Sequence, residues 1–512
     1  MSGISELGQL MRRIRTNIVV VEAAAALILL FTAMFAVQPV FAQPQTTISL
    51  SDSIRDVLRT DNDSIRLQDE RVKTAATHVQ EAGGAFDWNA QAQGGWQALY
   101  VPRSVYSPVI PGKGILTNNT DILSAYYYSL SIGREFRNGI SIAPGITAYP
   151  STSGASTAQT FGLTALRPSL GLRIPLLQGL GEEAADAAEL AAKATLVGTR
   201  FDRDFAIAHT VHDMIQTYWR CLAADEIAKI SEQSLRDGQE YSDSLKQQAQ
   251  RGLVEPSVAQ SYIAANVTRQ ITLNQNQDAV SSCRRDLAVA TRGQAVGPLP
   301  APSGILPDMA SDDAAVASLD DSSLNDLALN NRSDLKAARE YIAAAADTRR
   351  GAENAKAPVL TLQVDPTRAI VVYSQSLENN TAEGRASEAM SSQRQSEVAL
   401  HQLETQVQVD ITDCVRNLRS AFGEWQAANK AEQQTQAAVD NDEKRARFGI
   451  IDRKFLLQTK DQLTQIKTAA TNAELLFASN MAMLRLVTGT VHPQQETPAT
   501  TLGLFTTLPT LN

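Results

Sequence analysis

Apolar residues recur at helical spacing over two stretches of this chain that are far longer than an ordinary helix. Residues 182–250 contain no proline, and Gly198 and Gly238 are the interruptions in a sequence rich in Ala, Gln, Glu, Leu and Arg, which favour helix. After a turn at 251–256, a second limb continues to Gly293. At 1.5 Å per residue, the first limb predicts a rod about 100 Å long. Such a rod cannot bury its apolar stripe within one compact domain, so we expect it to pack against other long helices.

The same helical hairpin occurs a second time. Residues 383–447 again lack proline, a turn follows at 448–452, and a second limb runs to Gly489. An apolar row at three- and four-residue spacing predicts a packing seam in this copy, formed by Leu400, Leu403, Val407, Ile411, Cys414, Leu418 and Trp425. The two turns lie 197 positions apart, at Gly252 and Gly449. The chain is therefore a tandem repeat of one helical unit.

Each copy opens with a shorter amphipathic segment. Apolar positions predict a helix over 50–85, with Ser51 or Asp52 as its N-cap, and a counterpart over 324–357. The opening segments correspond with a shift of 270 positions, against 197 at the turns. The first copy therefore holds about 73 additional residues between its opening helix and its turn.

The additional residues fall in a region, 88–177, where the pattern changes to period two. One side of the first strand is predicted to carry Trp88, Ala90, Ala92, Trp96, Ala98 and Tyr100, and the other side Asn89, Gln91, Gln93 and Gln97. Alternation over about 10 positions with aromatic residues near the ends is typical of membrane β-barrel strands. Further strands are predicted at 125–136, 140–148 and 161–176, with a bulge at Arg167-Pro168 and an exposed loop at 101–120. A soluble β-sandwich is the alternative that these strands allow.

In the second copy the equivalent region shrinks to 359–377. Leu360, Leu362 and Val364 alternate with polar residues, and a turn follows at 365–367. The strands are shorter than the 9 to 11 residues, approximately, that cross the hydrocarbon of a membrane. We therefore expect this hairpin to fall short of the membrane, with most membrane-crossing strands coming from 88–177.

The remaining segments predict export and a modular organisation. Residues 1–42 form an export signal, with Arg12, Arg13 and Arg15 before an apolar stretch and Val40-Phe41-Ala42 at the cleavage position. An uncleaved membrane anchor is the alternative. The predicted units that follow are a first repeat at 43–296 with its helical hairpin at 182–293, a linker at 297–323, a second repeat at 324–490 with its hairpin at 383–489, and a flexible tail at 491–512.

Composition narrows the classes of function. The net charge of −9 and the pI of about 5.3 argue against nucleic acid as a partner. Aromatic residues make up 5% of the chain, which suits Ala-rich helices packed side by side. Cys221, Cys283 and Cys414 all lie in predicted helices and permit at most one disulfide. We interpret them as buried apolar side chains.

No pattern in the chain predicts an enzyme. Gly179-Leu180-Gly181 follows a strand and opens a helix, as a dinucleotide-binding loop does, but the helix that follows is too long for a βαβ unit. His209 and His212 share a helix face, yet no third metal ligand lies near them in the sequence. We therefore expect no catalytic residue, no cofactor and no metal.

The order of these elements, more than any single motif, resembles the TolC-type outer-membrane efflux family. An export signal precedes two copies of opening helix, β-hairpin, long helix, glycine-containing turn and long helix, and the copies close on Thr291-Arg292-Gly293 and Val487-Thr488-Gly489. Segments 174–181 and 327–335 also match. The resemblance covers residues 48–489. It implies a mainly α fold with a membrane β-barrel portion, in which a homotrimer shares one 12-stranded barrel and one 12-helix tunnel.

The resemblance also implies partners and a location. The protein is expected in the outer membrane, surrounded by its lipid and extending into the periplasm of a Gram-negative-type envelope. It would be the passive conduit of a tripartite efflux or type I secretion system, working with an inner-membrane transporter and a periplasmic adaptor. The alternative function is a periplasmic or surface coiled-coil structural protein without a pore.

The residues that the resemblance assigns lie in the hairpin turns. The expected adaptor-contact residues are Gly252, Leu253, Val254, Arg447, Gly449, Ile450 and Ile451. Glu255 and Asp452 are candidates for the tunnel mouth, although Val258, Phe455 and Gln458 stand where some members carry acidic residues. Turns that only reverse the chain are the alternative for these positions.

Overall fold

The computed structural model of the protein describes residues 47–59, 62–110, 113–150, 163–293, 297, 299–307, 316–366, 368–493 and 497–508. The export signal predicted at 1–42 lies outside these residues. The helices are α1 Leu50–Arg59, α2 Asp63–Gly83, α3 Glu182–Ala185, α4 Ala187–Gln250, α5 Pro256–Arg292, α6 Asp321–Asn331, α7 Ser333–Asn354, α8 Asn380–Arg447, α9 Arg453–Val487 and α10 Pro498–Phe505. The strands are β1 Thr47–Ile48, β2 Asn89–Ile110, β3 Lys113–Glu135, β4 Ser141–Pro150, β5 Leu163–Pro175, β6 Ala301–Pro302, β7 Val359–Asp365 and β8 Arg368–Ser374.

The two long helices run the length of the helical part. α4 has 64 residues and α8 has 68, so each is a rod about 100 Å long, as predicted. In the half near the hairpin turns, α4 packs between α5 and α9, and α9 packs against α8. In the half near the sheet, α4 packs against α2 and α7, and α7 packs against α8. Pairs of shorter helices therefore complete each half, and the row α5–α4–α9–α8 ends on α5 and α8.

Both opening helices are broken, so the continuous helices predicted over 50–85 and 324–357 are wrong. Asn62 caps α2 by accepting a hydrogen bond from the backbone N of Ser64 at 3.0 Å. In the second copy, Arg332 interrupts the chain between α6 and α7 and pairs with Asp334 at 2.6 Å. Asn62 and Arg332 correspond under the shift of 270 positions. Arg332 has an extended backbone conformation, with ψ at 124°, and its side chain is buried.

The helices form two hydrophobic clusters, and α9 contributes to both of them. The first joins α1, α4, α5 and α10 through Ile54, Tyr218, Trp219, Leu287 and Phe505. The second joins α6, α7, α8 and α9, and it contains the predicted seam: Val407, Ile411, Cys414 and Leu418 are buried, and Leu400, Leu403 and Trp425 pack against them. The seam prediction is confirmed.

The tail is folded in its described part, contrary to the flexible segment predicted at 491–512. Residues 498–505 form α10, and Phe505 is fully buried. Buried Arg485 on α9 donates hydrogen bonds to the backbone oxygens of Thr507 and Leu508. The apolar face of α10, rather than its Thr- and Pro-rich composition, decides its placement.

In the described part of the chain, the larger sheet has six antiparallel strands in the order β2-β3-β4-β5-β7-β8. The loop predicted at 101–120 is wrong, because β2 and β3 pair almost to their ends, with Val101 opposite Asp121. The bulge predicted at Arg167-Pro168 is also wrong: these residues pair in regular register, and the irregularity lies between Tyr149 and Pro150. Proline and glycine mark loops only where no partner strand is available to pair with them.

Among the described helices, none combines the length and the apolar character needed to cross a membrane.

Candidate functional site

One face of the six-stranded sheet is apolar from β2 to β8. Directly paired residues share a face, and the pairing continues this face from Leu130 to Ile146 and from Leu172 to Val364. Its described side chains include Ala90, Ala92, Trp96, Tyr128, Leu130, Ile132, Ile142, Pro144, Ile146, Pro168, Leu170, Leu172, Leu360, Leu362, Val364, Ala369, Val371 and Tyr373. Several are more than half exposed, among them Trp96 at 58% and Leu130 at 55%. An exposed apolar face of this extent requires an apolar environment or a partner.

The opposite face is mainly polar in β2 to β5 and mixed in the hairpin of the second copy, where Ile370 and Val372 lie opposite Gln363 and Thr361. The same pairing places Gln91, Gln93, Ser129, Ser131, Thr147, Ser169, Arg173, Thr361 and Gln363 on it. The predicted alternation is confirmed from Trp88 to Trp96; the side chains of Gln97, Ala98 and Tyr100 lie outside the described residues. The sheet therefore separates an apolar side from a polar side.

The hairpin of the second copy ends at the level where the long strands begin. The row that contains Arg134 in β3 runs through Ile142 and Leu172 to Val364, one residue before the end of β7. β2 starts at this level, because its first residue, Asn89, pairs with the neighbour of Arg134. From there β2 and β3 continue for 22 and 23 residues, against 7 each in β7 and β8. The two repeats thus contribute very different lengths of strand.

The two helical turns have the same backbone. Gly252 and Gly449 have φ values of +71° and +70°, in the left-handed region that favours glycine. The residue after each glycine donates a backbone hydrogen bond to the preceding helix: Leu253 N to Gln248 O at 3.0 Å, and Ile450 N to Arg445 O at 2.9 Å. All these pairs obey the 197-residue shift. The turn sequence therefore encodes one helix stop twice.

The predicted contact residues lie at these turns. Leu253 is 71% exposed and Ile450 is 64% exposed; Val254 and Ile451 are half-buried, and Arg447 is exposed. Phe448 is 82% exposed and was missed among the contact residues, although an aromatic residue next to a turn glycine was the available signal. A large apolar side chain kept in water at a chain reversal is suited to docking rather than to folding.

Of the two candidates for the tunnel mouth, Asp452 has a local structural role. Its carboxylate caps α9 by accepting from the backbone N of Lys454 at 2.9 Å, whereas Glu255, at the start of α5, makes no such bond. Both residues lie in the turns, on different hairpins.

Ion pairs join the two hairpins near their turns. Lys460 Nζ lies 3.0 Å from Asp237 Oδ1 on α4 and 3.0 Å from Glu443 Oε1 on α8. Arg269 Nη2 lies 2.6 Å from Asp461 Oδ2, which links α5 to α9. Burial disfavours the ammonium of Lys460, but its hydrogen bonds to Glu443 and Asp237 raise its pKa above the ordinary value. The tip of the chain is therefore held by charges that salt can screen.

Farther from the turns, a disulfide joins the limbs of the first hairpin. Cys221 on α4 and Cys283 on α5 are bonded, with their Cα atoms 5.4 Å apart, so the interpretation of all three cysteines as buried apolar side chains is wrong for this pair. Cys414 on α8 is free and buried, and burial raises the pKa of its thiol to about 12. It therefore stays protonated and unreactive at neutral pH.

The histidine pair on α4 binds a carboxylate. His209 Nδ1 lies 2.9 Å and His212 Nδ1 lies 3.2 Å from the two carboxylate oxygens of Asp213. Burial opposes ionisation of Asp213, but the hydrogen bonds from both histidines hold its pKa below the usual range. The residues that the structure describes contain no group of three or more His, Cys, Asp or Glu side chains arranged to hold a metal ion.

Comparison with known proteins identifies the architecture. No protein-family model matches the chain, and no curated protein matches its sequence. The CmeC outer membrane channel of Campylobacter jejuni superimposes with a TM-score of 0.62 over 89% of this chain and 89% of that chain, at 11% identity. The outer membrane protein VceC of Vibrio cholerae gives a TM-score of 0.59 over 86% of this chain and 96% of that chain, at 15% identity. The MtrE outer membrane channel of Neisseria gonorrhoeae gives a TM-score of 0.57 over 86% of this chain and 88% of that chain, at 14% identity.

The chain therefore has the fold of TolC-type outer-membrane channels. The predicted mainly α fold with a β portion, built from tandem β-hairpins and very long helical hairpins, is confirmed at this level. The correspondence extends over nearly nine-tenths of the chain in the comparison with CmeC, so it includes both repeats and the sheet.

Proposed function

We propose that the protein is an outer-membrane channel: a passive conduit, without catalysis, whose sheet crosses the membrane and whose helices extend into the periplasm. One observation carries the proposal. The sheet has an apolar face that continues across its strands and a mainly polar opposite face, and it stands at the end of helical rods about 100 Å long. Lipid on the apolar side and water on the polar side satisfy both faces. The fold shared with proteins named as outer membrane channels supports it.

Three copies are proposed to close the conduit. The helix row ends on α5, where Ile263, Val267 and Ile271 form a stripe at four-residue spacing, 44%, 57% and 51% exposed. The 197-residue shift places Ile263 at the position of Lys460, which faces the neighbouring hairpin within the chain. By the same geometry, Ile263 would face a hairpin of the next copy. A heterologous contact of this kind closes into a ring when the rotation between successive copies returns to the first copy, which we propose for three copies.

The partners outside the ring are proposed from the turns. Exposed Leu253, Phe448 and Ile450 at the tips fit the apolar face of a periplasmic adaptor's helices. An inner-membrane transporter would then supply the exported small molecule or protein in a tripartite efflux or type I secretion system. The disulfide supports an oxidising compartment such as the periplasm.

Assembly and conduction test the proposal together. The purified protein should run as a trimer in detergent and conduct ions when inserted into planar bilayers. Val267→Asp should shift it toward monomer and abolish conductance, because it places charge in the stripe. Gln239→Asp adds the same charge at an exposed α4 position and should leave both unchanged. A water-soluble wild-type protein without conductance would favour the coiled-coil scaffold instead.

The short hairpin provides a topological test. A protease site inserted at Asp365–Arg368 should resist protease added to intact cells, because the turn lies level with the start of β2. A site inserted at 111–112, between the ends of β2 and β3, should be cut. Efficient external cleavage at Asp365–Arg368 would contradict the proposal that the long strands of the first repeat form most of the membrane wall.

A further inference from the structure

Arg134 is a cation on the apolar face of the sheet. It pairs across the strands with Ile142, and Leu130 and Ile132 precede it on the same face, 55% and 46% exposed. Its level is the base of the sheet, where β2 begins. Placing an arginine among exposed apolar side chains is unfavourable unless a counter-charge or water meets its guanidinium.

Three neighbours hold the guanidinium in place. Its Nε donates a hydrogen bond to Phe86 O at 2.9 Å. Its Cζ lies 5.7 Å from the ring centroid of Trp88 and 5.4 Å from that of Phe136, and these rings are 53% and 37% exposed. Cation–π attraction to the two rings favours this position of the guanidinium.

The rest of the guanidinium has no counter-charge in the described part of the chain. No carboxylate of the described residues forms an ion pair with Arg134, and Nε makes its one described hydrogen bond. An arginine has five N–H donors, so both terminal nitrogens remain able to bind an anion. Glu135 is next in sequence but lies on the opposite, polar face of β3.

We propose that Arg134, Trp88 and Phe136 form a binding site for the phosphate of an anionic phospholipid in the periplasmic leaflet. The proposal rests on the proposed function, since the apolar face must meet lipid. A guanidinium fork matches a phosphate in bidentate geometry. Exposed aromatic rings at the edge of an apolar band are suited to the headgroup level of a membrane. The site would fix the height of the sheet in the membrane.

Two other arginines near the base of the sheet are not equivalent. Arg137 donates hydrogen bonds of 2.7 and 3.0 Å to Glu189, so the Glu189 carboxylate already neutralises its charge. Arg173 lies within one residue of the same level, paired with Ser141 and Gln363, but on the polar face. Arg173 is therefore a matched control for Arg134, with the same charge at the same height on the opposite side.

Native mass spectrometry of protein released from nanodiscs of mixed phosphatidylglycerol and phosphatidylcholine tests the site. Arg134→Gln should retain one phosphatidylglycerol fewer per chain than wild type, and Arg173→Gln should retain the wild-type number. Trp88→Ala combined with Phe136→Ala should also lower retention, although Arg134 is intact. Equal retention in Arg134→Gln and wild type, or equal loss in Arg173→Gln, would overturn the proposal.

Free phosphate and failure to insert are separate outcomes. Inorganic phosphate added to the detergent-solubilised protein should not displace phosphatidylglycerol; displacement would reassign the site to free phosphate and overturn the lipid assignment. If no variant and no wild-type protein enters nanodiscs, the proposed function fails and the lipid site fails with it. If all insert as trimers with identical lipid retention, the lipid site alone fails.

Discussion

The two helical hairpins share a backbone but differ in how their limbs are joined. In the first, Cys283 Sγ lies 3.6 Å from Thr217 O and is bonded to Cys221. In the second, Cys414 Sγ lies 3.4 Å from Asn480 O. Under the 197-residue shift Cys414 corresponds to Thr217, and Asn480 to Cys283. The two copies thus keep one sulfur-to-carbonyl contact, made from opposite limbs.

Whether the limbs are cross-linked therefore depends on a second position in each hairpin, the one occupied by Cys221 in the first. Leu418, fully buried, corresponds to Cys221, so the second hairpin packs by apolar contact where the first is covalently tied. The difference teaches that the same helical hairpin can pack with or without a covalent link between its limbs. The ion pairs of Lys460 with Asp237 and of Asp461 with Arg269 then join this hairpin to the cross-linked one.

Removing the disulfide has the largest expected effect. Cys221→Ala combined with Cys283→Ala should lower the free energy of unfolding of the first hairpin by about 2 to 4 kcal/mol, because the unfolded limbs gain freedom. Hydrogen exchange along α4 and α5, with and without reductant, measures it. Cys414→Ala should lower the free energy of unfolding by about 1 kcal/mol and leave the response to reductant unchanged. Equal protection of α5 in wild type and the double variant would remove the contrast between the hairpins.

Glycines within the two long helices provide the next test of the comparison between the hairpins. A Cβ at Gly198 of α4 would lie 2.8 Å from the ring of Tyr341, whereas a Cβ at Gly423 of α8 meets nothing within 4 Å. Gly198→Ala should therefore destabilise by about 1 to 3 kcal/mol through overpacking. Gly423→Ala should stabilise by up to about 1 kcal/mol through helix propensity. Thermal unfolding of both variants checks the signs, and a stabilising Gly198→Ala would contradict the tight packing of α4 on α7.

The ionic contact between the hairpins has a smaller effect. Lys460→Met should destabilise the contact by about 1 kcal/mol and increase hydrogen exchange at the start of α9, whereas Lys229→Met, on an exposed α4 pair, should not. Because the pKa of Lys460 is raised in the folded state, its contribution is present at neutral pH and is lost only as pH rises through that raised value. Unchanged exchange in Lys460→Met at low salt would mean that apolar packing alone holds the hairpins together.

The smallest expected effect comes from a titratable pair that the second hairpin lacks. His209 bonds Asp213 at 2.9 Å, and at the corresponding positions of α8 Gln406 bonds Asp410 at 2.7 Å. The hydrogen bond to Asp213 raises the pKa of His209, so its contribution is present below about pH 6.5 and is lost as pH rises through the folded-state pKa. His209→Gln should remove about a few tenths of a kcal/mol of this dependence, measured by unfolding between pH 6 and pH 8. If the stability of His209→Gln depended on pH as that of wild type does, the pH dependence would belong to another group.

Local periodicity was sufficient to predict the helical hairpins. The turns at Gly252 and Gly449, the seam through Ile411 and Leu418, and the alternation from Trp88 to Trp96 follow from helix and strand spacing within single elements. By contrast, apolar spacing did not predict the break at Asn62, whose side chain caps α2 locally, or the break at Arg332, whose guanidinium donates to the distant Val487 O.

The sequence by itself determined the long helices, their turns, the start of the sheet and the tandem repeat, because those properties arise between residues a few positions apart. The tertiary structure decided which cysteines bond, that residues 101–110 and 113–120 are strand, and that Arg134 lies on an apolar face with two aromatic rings. Each of these depends on pairing between separate elements, such as the disulfide between α4 and α5 and the ladder between β2 and β3, and the periodicity within one element does not specify that pairing.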